Sequence, residues 1–473
     1  MTDLQSRPEI ASQRPLVVDL DGTLCRTDTL WETFFAAWRS CWWLPLIVPF
    51  WLASGRARLK LRLVEVGLPT VHSLPWNNSV VDAVAKARGV GRTCVLATAA
   101  NERIASKCAA ELGLFDEVMA SSDTVNLKGA TKAHALVAKF GVGGFDYIGD
   151  SRADIPVWAV ATKKYSVSSI IPPGGEPLRL GNTESSLATW TRLLRVRHWV
   201  KNGLVFVAPV AAHAWSNALE WQAVALTFFA FCAVCSGVYV LNDLFDLASD
   251  RAHPSKRRRP LAAGELSLAT AFAVALILLS GGLAVAWFAG PLVAGVVVTY
   301  VAFNALYTAR LKRAAVFDVF CLAGLYTLRI VAGAAAVVVP LSTWLVAFSV
   351  FAFLSLALLK RAADIARLGA DEVLPGRGYS GRDSAFVNSF GVSSAIAACL
   401  VLALYVASDQ VASMYADPLW LWGLVVVVLL WLARTWRMAM NGTMDDDPVL
   451  FATRDGVSWG CATAVAICVL LAL

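Results

Sequence analysis

The sequence predicts two structural classes in one chain: an N-terminal, doubly wound α/β domain and, after it, an all-α membrane bundle of about nine transmembrane helices. Three observations lead there. Of 473 residues, 58% are hydrophobic and only 16% are charged, which is too apolar for an ordinary soluble enzyme of this size. The first part of the chain alternates short β-branched runs with helical patterns, whereas the remainder carries repeated apolar runs of about 17 to 22 residues, near bilayer thickness. A stretch rich in Pro, Gly and Ser, Ser166 to Ser186, lies between them. The expected division is therefore a soluble domain over 1–165, a linker over 166–186 and a membrane domain over 187–473.

Within the soluble part, "PLVVDLDGTL" reads as a buried parallel strand that delivers carboxylates at its C-terminal end. Similar runs recur at "TCVLATAA" and "GFDYIGDS", with helical patterns over Glu102 to Leu112 and Lys132 to Phe140 between them. That alternation is what a parallel sheet with crossover helices requires. One segment does not fit. Phe34 to Gly55 is apolar and aromatic but interrupted by Arg39, Pro45 and Pro49, so a membrane-surface element is favoured over a buried cap core, and both over a span. The ten cysteines are scattered and read as core residues, and "MTDLQSRPEIASQRP" is too polar for a signal peptide. The soluble domain is thus expected to stay on the side where it is made.

Nine candidate spans fall near 200–215, 221–241, 268–288, 291–309, 316–337, 343–360, 387–407, 418–436 and 457–473. Loops after even-numbered spans carry every loop Lys and Arg, among them Arg251, Lys256, Arg310, Arg367 and Arg434, while loops after odd-numbered spans carry none. Basic loops are retained on the cytoplasmic side, so the expectation is a multi-pass protein of a bacterial inner membrane with its N-terminal domain and basic loops cytoplasmic. The net charge of +7 is then a topology signal with phosphate chemistry as its second use. Nucleic acid is not an expected partner, because the basic residues cluster at span ends.

Two groups of residues carry chemistry. In "DLDGTL", Asp19 and Asp21 share a face of a continuing strand and Gly22 allows a sharp turn after them. Two such carboxylates suit a nucleophile and an acid/base partner if a cation suppresses their repulsion. Thr98 in "VLAT", Lys128 in "NLKGATK", and Asp150 with Asp154 in "GDSRAD" follow at later strand ends or loops. This set resembles the haloacid dehalogenase superfamily of phosphotransferases over roughly residues 14 to 165. The resemblance implies Asp19 as nucleophile, Asp21 as acid/base, Thr98 and Lys128 as phosphate ligands with Lys132 a rival for the lysine role, Asp19, Asp21, Asp150 and Asp154 around magnesium, and a helical cap after Asp21.

The second group is "NDLFDLASDRAHPSKRRRP". On a helix Asp243, Asp246 and Asp250 fall at i, i+3 and i+7, within about 20° of one direction, with Asn242 beside them. Three carboxylates on one stripe need a divalent cation, and magnesium commonly joins carboxylates to a substrate diphosphate. Lys256, Arg257 and Arg259 can meet phosphate oxygens. Asn304, Tyr307, Asp318 and Arg329 lie where lipid penalises polar groups, which marks a site; a plain Asp318–Arg329 bridge is the competing reading. These residues resemble the UbiA superfamily of intramembrane prenyltransferases over nearly all of 190 to 473. "RHWVKN", "YTARLKRAAVFDVF", "LRIVAGAAA", "LKRAAD" and "DDPVLFATRD" resemble most its decaprenyl-phosphate phosphoribosyltransferase branch, whose members join phosphoribosyl pyrophosphate to a polyprenyl phosphate. The second D-x-x-x-D motif of the aromatic prenyltransferases is absent between Lys360 and Asp383, and Lys360 with Arg361 favours a further phosphate. The resemblance implies magnesium on Asp243, Asp246 and Asp250, lipid phosphate steered by Lys201, Lys312, Arg329 or Lys360 with Asn202 nearby, Asp318 positioning the sugar or a second cation, and removal of the 5-phosphate by the fused domain. The competing functions are prenyl transfer to an aromatic acceptor and a non-catalytic binding or transport protein.

Overall fold

The computed structural model describes residues 14–122, 125–178, 186–214, 218–374, 376–444 and 447–473; residues 179–185 of the expected linker lie outside these. It divides into two compact units. The first runs to Leu194 and takes in Tyr239–Ala275; the second comprises Arg195–Val238 and Leu276–Leu473.

The first unit is built on a six-stranded parallel sheet of order β3-β2-β1-β4-β5-β6, with β1 (Leu16–Val18), β2 (Cys94–Asn101), β3 (Glu117–Ser121), β4 (Asp146–Gly149), β5 (Lys164–Ser166) and β6 (Glu176–Pro177). Successive strands move outward from β1 in both directions, so the strand order reverses between β1 and β4 and opens a crevice at their C-terminal ends. Both faces are buried, which explains the continuous apolar runs. Leu16, Val18, Leu96 and Ile148 point into one core and Val17, Val95 and Tyr147 into the other. The sheet continues past residue 165: Glu176 pairs with Tyr165, and an edge position tolerates the Pro177 that an inner strand would not.

Between β1 and β2 lie α1 (Thr29–Ser40), α2 (Leu44–Ala53), α3 (Arg56–Val66) and α4 (Asn78–Gly89). Asp28 starts α1 by accepting from the Leu30 amide. The aromatic Phe34 to Gly55 stretch is split by the break between α1 and α2. Phe34 and Phe35 of α1 are buried, whereas Trp42, Leu46 and Phe50 are 81%, 71% and 73% exposed, so half of it is core and half is an apolar surface. Neither helix is long enough to span. The crossovers continue with α5 (Glu102–Leu112), α6 (Ala130–Phe140) and α7 (Ile155–Val160). After α8 (Leu187–Leu193), the returning segment Tyr239–Ala275 completes this unit. Rings of Phe34, Phe35 and Trp38 pack on Phe245 and Phe272, and Arg251 forms a bidentate pair with Glu32 at 2.6 and 3.1 Å, both side chains buried.

The remaining helices are α9 (Val207–Ala211), α10 (Ala218–Phe245), α11 (Leu247–Ala252), α12 (Leu268–Ala289), α13 (Pro291–Ala309), α14 (Phe317–Ala336), α15 (Thr343–Ile365), α16 (Ser384–Val406), α17 (Asp409–Met414), α18 (Leu421–Met440), α19 (Pro448–Ala452) and α20 (Gly456–Ala472). Among the described residues seven segments are long and apolar enough to cross a membrane: α10, α12, α13, α14, α15, and the stretches Gly381–Val406 and Pro418–Met440 that contain α16 and α18. Of the nine expected spans, the two at the ends are not among these seven. The first candidate winds as a 3-10 helix over Val196–Phe206 and then a five-residue turn around Pro209, where proline removes a helix donor; α20 has 17 residues. In the second unit, α15, α16 and α18 interlock where Gly391 admits the Trp436 ring, and a Cβ there would lie 2.2 Å from it. Small residues at such crossings let helices approach closely in lipid.

Candidate functional site

The crevice beside β1 opens into a cavity of about 440 Å³ lined by Asp19, Asp21, Lys132, Asp150 and Asp154 at its floor. Asp19 follows directly on β1, accepts from the Leu20 amide at 2.8 Å and pairs with Lys132 Nζ at 3.0 Å. Gly22 takes a positive φ of 75° and passes so close to Asp150 that a Cβ would sit 2.2 Å from Oδ2; only glycine fits this turn. Asp21 then accepts from the Thr29 amide at 2.7 Å, tying the floor to the start of α1.

Carboxylate oxygens of Asp19, Asp150 and Asp154 lie within 4.8 Å of one another. Burial, with Asp154 close by, pushes Asp19 up to about 6 despite Lys132. Burial and the neighbouring Asp28 take Asp21 to about 7, and burial with the Asp19 charge takes Asp150 to about 8. Asp154 goes the other way: burial works against its charge, but Lys132, Tyr147 and the Ser151 and Asp150 amides overcome it. Carboxylates that resist ionising together form a donor set suited to a hard divalent cation such as magnesium.

Two expectations change here. Lys132, on the first turn of α6 and 2% exposed, reaches both Asp19 and Asp154, the latter at 3.6 Å, whereas Lys128, which also lines the cavity, is exposed; helical side chains lean toward the N-terminus, which aims Lys132 at the strand ends. Thr98 is fully buried in β2 and its hydroxyl accepts from the Ala100 amide at 2.9 Å. The wall at this strand is Ala99, Ala100 and Asn101 instead, because β2 runs on to Asn101.

The aspartate-rich segment of the same unit also departs from expectation. The helix breaks at Asp246, between α10 and α11, although the Asp246 amide still reaches the Asn242 carbonyl and Asp250 that of Asp246. Asp243 and Asp250, both buried, face one point: Arg259 Nη1 lies 3.0 Å from one and 2.7 Å from the other. Arg259, expected to meet phosphate, holds these two carboxylates, since paired buried acids need a positive charge between them. Burial raises the Asp250 carboxyl and Arg259 opposes the rise. The convergence of oxygens on one point fits a cation with a preference for oxygen ligands. Asn242 and Asp246 are half-buried, while Lys256 and Arg257 are exposed in a 3-10 turn.

In the second unit the buried polar residues form separate groups. Arg329 donates to Asn202 Oδ1 at 2.9 Å and to the Tyr300 hydroxyl at 3.0 Å. Asp318 accepts from Arg361 Nε and from the Tyr379 hydroxyl, each at 2.8 Å, and Arg361 also meets Asp364 at 2.8 Å. Asp318 and Arg329 therefore hold different partners, and Arg361, expected on phosphate, is committed to two carboxylates because its stretch of α15 faces inward. Lys201 pairs with Asp447, and Lys360 lies 4.0 Å from the same carboxylate. Asn304 is buried, Tyr307 accepts from Arg377, and Lys312 offers its carbonyl to that arginine.

Sequence reasoning missed Asp447, although its segment was among the informative ones; its signal is the D-P step that starts α19, where it caps Val449. It also missed Arg26, Arg56 and Lys60, which line the cavity; the basic run of α3 is the sign for the last two. An apolar cavity of about 640 Å³, lined among others by Phe206, Trp344, Phe348 and Leu402, lies within the second unit.

The model of the UbiA prenyltransferase family matches residues 203–469. A Sinorhizobium fredii protein, named uncharacterized protein y4nM, is 35% identical over 474 residues, 97% of this chain and 91% of that one. Decaprenyl-phosphate phosphoribosyltransferase of Mycobacterium tuberculosis is 36% identical over 178 residues, which span 37% of this chain and 59% of that enzyme. A solved UbiA homolog from Archaeoglobus fulgidus, bound to GPP and Mg2+, covers 60% of this chain and 97% of its own at a TM-score of 0.45 and 16% identity.

Proposed function

The chain belongs to the UbiA prenyltransferase family and is an integral membrane protein, and from that premise we propose that it transfers phosphoribose from phosphoribosyl pyrophosphate to a polyprenyl phosphate. Its N-terminal domain is, in this reading, a haloacid dehalogenase-like phosphatase that removes the 5-phosphate from the lipid product. The observation that carries the substrate choice is the pair of cations around Asp447. Lys201 and Lys360 approach one carboxylate, a setting that suits the phosphate of an anionic lipid head group. The likeness to the mycobacterial enzyme supports the same choice.

Asp243, Asp246 and Asp250 would hold magnesium, which when bound supplies positive charge against a diphosphate. The C1–O bond to pyrophosphate breaks with its electron pair on the leaving oxygen, and an oxygen of the lipid phosphate forms the new bond to C1. Lys201 and Lys360 orient that lipid phosphate, so placement accounts for most of the rate. The 640 Å³ apolar cavity suits an isoprenoid tail. In the phosphatase step, Asp19 attacks phosphorus, the bond to the C5 oxygen breaks, and Asp21 gives that oxygen a proton. A carboxyl pushed to about 7 is poised to donate near neutrality. Asp21 then takes the proton from the water that cleaves the aspartyl phosphate.

A bacterial inner-membrane location with the basic loops cytoplasmic is part of the same proposal. So is lipid contact by α2, whose exposed Trp42, Leu46 and Phe50 follow an α1 packed on Phe245 and Phe272, residues at the ends of two candidate spans. The test is an assay with purified protein, magnesium, polyprenyl phosphate and ribose-labelled phosphoribosyl pyrophosphate. Pyrophosphate release with label in the lipid is expected; an unlabelled lipid, together with prenylation of a hydroxybenzoate-type acceptor, would overturn the transferase assignment.

A further inference from the structure

The floor of the 440 Å³ cavity accounts for one phosphate group. Lys132 is taken up by Asp19 and Asp154 there. The same cavity is also lined by Arg26, Arg56, Lys60 and Lys128; Lys60 feels the charges of Asp21 and Asp28 and those of Lys128 and Arg56, and both carboxylates are engaged at the start of α1, Asp21 by the Thr29 amide and Asp28 by that of Leu30. Lys60 reaches from α3 to the Ala99 carbonyl and Asn126 Oδ1, which closes the cap onto the loops of the sheet. Arg26 has its Nε buried with no acceptor among the described residues, a cost that a bound anion removes. Arg56 opens α3 with Arg58 two residues on and no acidic residue in the first turn, although cations are disfavoured at a helix start. Such a lining is costly to assemble around nothing and well suited to a second anion.

We propose that Arg26 and Arg56, with Lys60 and Lys128, form a second anion subsite that selects substrates carrying two phosphate groups on one sugar, the monoester cleaved at Asp19 and another held by the cap. The inference rests on the phosphatase reading above and names its specificity residues. The second group is a phosphate on C1, held either in a diester to a lipid or as a free monoester of a soluble sugar bisphosphate. Ser267 and Leu268, where α12 begins, also line this cavity, and α12 is a candidate span, so the lipid-linked source is the expected one.

The experiment uses the full chain in lipid nanodiscs with magnesium and compares phosphate release from p-nitrophenyl phosphate, ribose 5-phosphate, ribose 1,5-bisphosphate and polyprenyl-phosphoryl ribose 5-phosphate. At least one two-phosphate substrate is expected to exceed ribose 5-phosphate in kcat/KM by roughly tenfold or more, the loss associated with a charge-assisted contact. The larger of the two identifies the source. In Arg26→Gln/Arg56→Gln the preference should shrink to about threefold or less through a higher KM, and Arg26→Lys/Arg56→Lys should recover part of it; melting curves check that each variant is folded. Equal kcat/KM for one- and two-phosphate substrates, or an equal loss on both in the folded double variant, overturns the subsite. Hydrolysis of p-nitrophenyl phosphate that Asp19→Asn abolishes, with no preference, leaves the phosphatase standing and removes only the subsite; no hydrolysis of any substrate removes both.

Discussion

Two clusters of aspartates in the first unit solve the same electrostatic problem in different ways. At the strand ends, Asp19, Asp150 and Asp154 stand together with Lys132 as the one cation paired with them among the described residues, and Asp19 and Asp150 are pushed up to about 6 and about 8 by burial and the neighbouring carboxylates. On the helical stripe, Asp243 and Asp250 share the guanidinium of Arg259. The strand cluster relieves its repulsion partly by holding protons, whereas Asp243 and Asp250 do so through one guanidinium. A cation placed between Asp243 and Asp250 would have to displace Arg259.

The sharpest way to break this comparison is to remove one carboxylate of the stripe. Asp250→Asn should lower lipid labelling from phosphoribosyl pyrophosphate by about 10³-fold or more while p-nitrophenyl phosphate hydrolysis persists; parallel loss of both activities would mean the clusters act as one site. Next in size is the buried Glu32–Arg251 pair that ties α1 to α11. Glu32→Gln leaves Arg251 buried without its partner and should cost about 3 kcal/mol, read as a lower melting temperature and earlier proteolysis of the Tyr239–Ala275 segment.

A third effect concerns protonation. Asp19, Asp21 and Asp150 are raised above their ordinary 3.8 to about 6, 7 and 8. Carboxyls raised on folding contribute stability that is complete below the ordinary value and lost as pH climbs through the folded one. In chelated protein, stability should decline from about pH 4 to about pH 8, and magnesium should restore it, so the gain in melting temperature on adding magnesium should be larger near pH 8 than near pH 5. The smallest effect is at α2: Trp42→Ser/Phe50→Ser should change stability by only about 0.5 kcal/mol yet reduce quenching of tryptophan fluorescence by brominated lipids.

Much of this was legible in the sequence because period and spacing carry it. β-branched runs ending in aspartate marked the strands, and the aspartate spacing singled out Asp243 and Asp250, which meet at Arg259 although the helix breaks at Asp246. What was not legible depended on direction or on distant partners. Lys128 and Lys132 are four apart, and only the start of α6 decides which reaches Asp19. Arg361 lies beside Lys360 in sequence but turns inward to Asp318, and Arg26 gains its meaning from a cavity closed by residues of α3 and the start of α12. At the two ends of the membrane domain, the first expected span is a 3-10 helix followed by the five-residue α9, and the last helix has 17 residues, local geometry that hydropathy alone does not register.

The most direct measurement is mass spectrometry of the lipid made by the unmodified protein and by Asp19→Asn from phosphoribosyl pyrophosphate, polyprenyl phosphate and magnesium. The account predicts polyprenyl-phosphoryl ribose from the first and its 5-phosphate, accumulating at an undiminished rate of lipid labelling, from the second. The same phosphorylated lipid from both, or ribosylated lipid without the 5-phosphate from Asp19→Asn, would contradict it.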